Sequence, residues 1–117
     1  MAGEFEEGRI RRALQSAWSA ESARQWSAAN PANGQCNVTA AVIYDLFGGQ
    51  ILKTRLSDGN HFYNCFDGRI VDLTDSQFEE QIAYEDLPSS RDDALAGIPE
   101  REYEALHRRL VEALARD

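Results

Sequence analysis

The stretch His61-Phe62-Tyr63-Asn64-Cys65-Phe66-Asp67-Gly68-Arg69-Ile70-Val71-Asp72-Leu73 decides how this chain folds. Two runs rich in aromatic and β-branched residues flank Asp67-Gly68, a pair that suits a two-residue type I′ turn because both of its positions need positive φ. That turn sets a register in which Phe66 opposes Arg69, Cys65 opposes Ile70, Asn64 opposes Val71 and Tyr63 opposes Asp72. Side chains alternate along a strand, so His61, Tyr63 and Cys65 share one face with Ile70 and Asp72. Phe62, Asn64 and Phe66 share the other with Val71 and Leu73. His61 and Asp72 become diagonal neighbours, roughly 7 Å apart and close enough for an imidazole and a carboxylate to meet. A slip of one residue would put them on opposite faces.

Upstream of the hairpin, Val38, Val42, Ile43, Leu46 and Phe47 recur at helical spacing and end at Gly48-Gly49, where glycine accepts the left-handed conformation that closes a helix. The helix begins at about Cys36, preceded by Asn33-Gly34-Gln35. A thiol there sees the positive end of the macrodipole and unpaired N–H groups, which favour thiolate. Cys36, His61 and Asp72 are, in that order, the parts of a nucleophilic triad. Cys36 attacks a carbonyl carbon, His61 pairs with the thiolate and protonates the leaving group, and Asp72 fixes the ring's tautomer and orientation. Gln35 and the Cys36 backbone N–H are the candidate oxyanion donors, each worth roughly 3 kcal/mol in comparable sites. Trp26 and Tyr63 read as core or as walls of a substrate cleft rather than as reacting groups.

The remaining segments supply scaffold. Ile10, Leu14 and Trp18, with Ala13 and Ala17 beside them, predict an amphipathic helix over residues 5–18. Residues 19–33, rich in Ser, Ala and Asn with a turn at Asn30-Pro31, form a loop that delivers Cys36. Residues 50–56 read as a strand, 58–60 as a turn and 61–66 as the next strand. Thr74-Asp75-Ser76-Gln77 reads as a capping box opening a short helix at Phe78, and 82–87 as a further short strand. Pro88-Ser89-Ser90 and Gly97 mark a surface connection. Pro99 then suits the first turn of a C-terminal helix striped by Tyr103, Leu106, Leu110 and Leu114, with Arg108 and Arg109 placed where cations favour its dipole. The expected architecture is α+β, with N-terminal helices packed on a small antiparallel sheet and a C-terminal helix, as one domain over residues 1–117.

Composition narrows the function. The chain has 117 residues, 43% of them hydrophobic, enough for one self-supporting core. A formal charge of -8 and a pI near 4.7 argue against nucleic acid as a partner. Residues 1–10 carry Glu4, Glu6 and Glu7 and no apolar signal core, and no apolar run reaches membrane-spanning length, so a soluble cytoplasmic protein is expected. Two cysteines are too few for a disulfide framework. A zinc site built from Cys36, Cys65, His61 and Asp72 is disfavoured for want of closely spaced ligand pairs, and no cofactor or metal is expected. Plainer readings stand beside the triad: Cys36 as a small buried hydrophobe, His61 as a satisfied polar residue at a strand edge, Asp72 as a partner for an Arg or local backbone. Cys65 reads as packing, and His107 as a solvated residue on a charged helical face.

Trp18-Ser19 through Trp26, Asn30-Pro31, Gly34-Gln35-Cys36, Val38-Thr39, Phe47-Gly48-Gly49, His61, Asn64, Asp67-Gly68, Asp72-Leu73-Thr74 and Gln77-Phe78 together resemble the YunG-like family of small bacterial proteins, over most of the chain. The resemblance implies a compact fold similar to the core of papain-like and NlpC/P60-like cysteine hydrolases, in which the nucleophile heads a helix packed on an antiparallel sheet that carries the histidine. It brings no substrate with it. Two functions follow as expectations. One is a cysteine-nucleophile hydrolase or acyl transferase acting on a small peptide, amide or thioester through a covalent acyl intermediate. The other is a non-catalytic binding or regulatory module that keeps the same fold. Hydrolysis, deamidation and transamidation use the same residues and differ in the acceptor. Oligomeric state is not legible.

Overall fold

A computed structural model describes residues 4–116. Residues 1–3, part of the segment inspected for a signal, and residue 117 lie outside it. Four helices, α1 (Glu7–Ala17), α2 (Cys36–Phe47), α3 (Arg91–Leu95) and α4 (Glu100–Arg116), accompany four strands, β1 (Gln50–Leu56), β2 (Gly59–Phe66), β3 (Arg69–Val71) and β4 (Leu87–Pro88). The strands form an antiparallel sheet in the order β3-β2-β1-β4. The fold class is α+β, as expected. No helix among the described residues is long and apolar enough to cross a membrane.

The hairpin adopts the expected register. Asn64 pairs with Val71, Cys65 with Ile70 and Phe66 with Arg69, and both turn residues have positive φ, 49° at Asp67 and 80° at Gly68. One face of β2 meets α2, where Phe62 packs with Ala40 and Ile51 and the Asn64 amide donates to the Ala40 carbonyl (3.1 Å). On the other face Tyr63, Cys65 and Leu52 pack under Tyr84. Cys65 is therefore a packing residue.

The helices close the main core. α1 lies against α4, and α2 lies between α4 and the sheet. Ile10, Leu14, Val42, Ile43, Leu106 and Leu110 meet there with no solvent exposure. Arg109 was placed by sequence to favour its own helix. Instead it donates to the carbonyls of Ala17 (2.9 Å) and Ser16 (3.0 Å), satisfying the orphan acceptors at the end of α1. Arg9 does the same in reverse for the Leu114 carbonyl (2.8 Å).

Four local expectations need correction. The turn assigned to residues 58–60 is a two-residue turn at Ser57-Asp58, because Leu56 and Gly59 already pair. The helix expected to open at Phe78 does not form; a 3-10 turn, Asp75–Gln77, ends there. Gln77 spends its side-chain amide on the Thr74 hydroxyl (2.9 Å), and Phe78 is extended with its ring edge-on to His61 (centroids 4.8 Å apart). The strand expected over 82–87 contributes only its end to β4. The Glu85 and Asp86 amides bond to the Thr54 and Tyr63 hydroxyls (both 2.9 Å) instead of a ladder, and Asp86 has φ 53°. Finally, Ser89-Ser90 is more than a connection, since the Ser90 hydroxyl caps α3 by accepting from the Asp93 amide (3.1 Å).

Gly48 and Gly49 both have φ 80° at the end of α2, but they differ in surroundings. A Cβ on Gly48 would meet nothing within 4 Å, whereas one on Gly49 would lie 2.6 Å from the Cys65 carbonyl and 2.7 Å from the Phe66 ring. Gly48→Ala should cost about 1–3 kcal/mol through backbone strain alone. Gly49→Ala should cost clearly more, read by urea denaturation of the two variants. Equal losses would show that the approach of β2 to the α2 terminus is not tight.

Candidate functional site

The site forms where the start of α2 meets the start of β2 and the end of β3. Gln35 ends the 19–35 loop, and its backbone carbonyl accepts from the Thr39 amide (3.0 Å), so the first turn of α2 begins at Cys36 as expected. Trp18, at the end of α1, donates its indole N–H to the Thr39 hydroxyl (2.9 Å) and pins that turn from below. The thiol of Cys36 donates to the Asn37 side-chain carbonyl (3.4 Å), whose amide in turn donates to the Ala94 carbonyl of α3 (2.8 Å).

His61 and Asp72 meet as the hairpin register requires. The imidazole Nε2 lies 2.7 Å from Asp72 Oδ2, in a site where His61 is 2% and Asp72 7% exposed. The carboxylate is held by further donors: the Tyr84 hydroxyl on Oδ2 (2.6 Å), and the Thr74 amide (3.2 Å) and hydroxyl (3.3 Å) on Oδ1. Burial opposes charge on the His61 ring. The Asp72 carboxylate, helped by the neighbouring Cys36 side chain, outweighs it and raises the imidazole from 6.5 to about 9. The ring is therefore positive at neutral pH. With Nε2 committed to Asp72, Nδ1 is the ring nitrogen left for the sulfur, and it has no formed hydrogen bond although it is buried. Burial and the hydrogen bond to Asp72 together push the Tyr84 hydroxyl upward, keeping it a donor.

The other candidates take different places. Gln35 cannot serve as a side-chain oxyanion donor: it is fully buried, its carbonyl accepts from the Ser22 hydroxyl (2.7 Å) and its amide donates to the Ser19 carbonyl (3.3 Å), which fastens the loop to α2. Tyr63 is no cleft wall. It is 1% exposed, stacked beside His61 with centroids 5.6 Å apart, and its hydroxyl is held between Thr54 (2.7 Å) and Asp86 (2.8 Å). Burial pushes that hydroxyl up to about 12. Trp26 is half-buried against the main core, with its indole N–H enclosed and unpaired. Access to the sulfur is narrow, since Cys36 is 8% exposed.

Sequence reasoning missed Tyr84, Thr74 and Asn37. Only Thr74 carried a signal: a hydroxyl two residues after an Asp is a common local partner for that carboxylate. Tyr84 arrives from a segment without regular structure, and Asn37 acts through a contact with α3. Among the described residues no group of three or more His, Cys, Asp or Glu side chains is arranged to hold a metal ion.

An α+β chain with a thiol at a helix start and a buried His-Asp pair on the adjoining hairpin is the class these features define. The family model described as YunG protein matches residues 6–115, and the chain belongs to that family. A protein of Bacillus subtilis (strain 168) described as "Uncharacterized protein YunG" is 44% identical over 93 residues, which cover 80% of this chain and 81% of that protein. No solved structure matches.

The raised His61 has a consequence for stability. Because its folded value lies above its unfolded one, the stabilisation from pairing with Asp72 is complete below about pH 6.5 and is lost as the pH rises through about 9. Chemical denaturation at several pH values across that window should show stability falling as pH increases, and His61→Gln should remove that part of the slope. An unchanged slope in the variant would refute the charged pair.

Proposed function

We propose that this protein is a cysteine-nucleophile hydrolase or acyl transferase with a papain-like core, acting on a small peptide or other amide-containing substrate. The observation that carries this reading is the divided imidazole of His61. One nitrogen is locked to Asp72 and the other is buried, unpaired and next to the Cys36 thiol. A buried N–H without an acceptor is costly, and such exceptions concentrate where a reacting group completes the bond.

In this reading the Cys36 sulfur, as a thiolate paired with the protonated His61 ring, adds to the substrate carbonyl carbon. The carbonyl oxygen becomes an oxyanion facing the N–H groups at the start of α2, which have no acceptor within the helix. On collapse the C–N or C–S bond breaks and His61 Nδ1 protonates the leaving nitrogen or sulfur. The acyl group is left on Cys36. Water or another nucleophile then gives a proton to His61 and attacks the thioester, releasing the acid or the transferred product and restoring the thiolate beside the protonated ring. Asp72 holds the ring throughout, with Tyr84 and Thr74 holding Asp72.

The small exposure of Cys36, and its hydrogen bond to Asn37, favour a second reading as a non-catalytic module in which the thiol is structural. Alkylation of Cys36 by iodoacetamide, followed by peptide mapping from pH 5 to 9, separates the two. A nucleophile should react at pH 6, and His61→Ala should lower that rate by about 10-fold or more while the rate at pH 9 changes less. Asp72→Asn should fold and lose most of the pH 6 rate. A Cys36 that stays unmodified across the range in folded protein establishes the structural role.

A further inference from the structure

A groove of about 370 Å³ runs past the start of α2. Gly34 and Asn37, which bracket Gln35-Cys36, line it on one side, and the Asn37 side-chain carbonyl accepts the hydrogen bond of the Cys36 thiol. Arg24 and Gln25 of the loop and Arg101 and Glu102 of α4 line it as well. The groove depends on Gly34, which has φ 75° and lies so close to Gln25 that a Cβ would come within 2.6 Å of that side chain. Arg24 and Arg101 are exposed, and among the described residues neither has a carboxylate partner. By contrast Arg11, Arg55, Arg69 and Arg91 are each paired. Two free guanidinium groups against the single carboxylate of Glu102 make this groove locally basic on a chain of net charge -8. A second cavity of about 430 Å³ continues along α4, sharing Arg24, Arg101 and Glu102, and there Glu21 and Glu104 offset the arginines, Arg108 included, so that its lining is balanced in charge. The net positive lining thus belongs to the groove that Gly34 and Asn37 border.

We infer that this groove binds the carboxylate of an amide-bearing acid, such as an N-acyl amino acid or the C-terminal residue of a peptide, with its amide carbonyl toward Cys36. Planar guanidinium groups match a carboxylate in geometry as well as charge, and the Gln25 and Asn37 amides suit a peptide-like backbone. The inference rests on Cys36 being the nucleophile.

Two electrophiles of nearly equal size test it: N-iodoacetylglycine, which carries a carboxylate, and the neutral N-ethyl iodoacetamide. In each the sulfur displaces iodide, forming a C–S bond as the C–I bond breaks, and peptide mapping reads the rate at Cys36 alone. The positive His61 favours the anionic reagent in every variant, so the quantity to compare is the ratio of the two rates. At low ionic strength the Arg24→Gln/Arg101→Gln double variant should lower that ratio by about 3- to 10-fold, as expected for one or two exposed charge pairs. Arg12→Gln, an exposed arginine with the same charge change elsewhere, should leave it nearly unaltered. A ratio unchanged in the double variant, or lowered equally by Arg12→Gln, overturns the anion site while leaving the nucleophile standing. A Cys36 inert to both reagents removes the nucleophile and the inference together.

Discussion

The carboxylate of Asp72 ties the fold to the site. It lies one residue beyond β3 and gathers His61 from β2, Tyr84 from the segment that covers the sheet, and Thr74 from the turn that follows, while its backbone carbonyl accepts from Arg11 of α1 (3.0 Å). Such a buried anion is tolerable because donors surround it. Three parts of the chain, already brought near by the β2–β3 pairing and the packing of Tyr84 on Tyr63, are thereby held in one arrangement. The same donors limit how the imidazole can turn, which leaves Nδ1 aimed away from the carboxylate.

The helix that bears Cys36 is held by unrelated contacts. Trp18 reaches Thr39, Gln35 is locked to Ser19 and Ser22, and Asn64 of β2 donates to the Ala40 carbonyl. The thiol and the imidazole are thus brought together by two sets of hydrogen bonds, one on the helix and loop, one on the hairpin and its cover, joined by Gln77, which accepts from Asn30 and Gly34 of the loop and donates to Thr74. Neither set passes through the sulfur itself.

The loop over residues 19–35 serves both sides. Its inner surface carries Ser22 and Gln35, fully buried, and its outer surface carries Arg24 and Gln25 along the groove. One wall of the groove comes from the same segment that positions Cys36.

Local chemistry made much of this legible. Asp67-Gly68 admits few backbone conformations, so the hairpin register, and with it the meeting of His61 and Asp72, followed from the turn alone; the boundaries of α2 followed likewise from its apolar spacing and Gly48. What lacked a local signal was decided by packing. Phe78 gave up a helix to cover His61, the 82–87 segment traded a ladder for side-chain hydrogen bonds to Thr54 and Tyr63, and Gln35 turned inward to secure its loop. Periodicity and turn residues report forces that act over a few neighbours along the chain, and the amino-acid sequence by itself settled the elements those forces govern. The partners of Asp72, the surroundings of the thiol and the groove between loop and α4 arise from contacts between distant segments, and only the tertiary structure could choose among them.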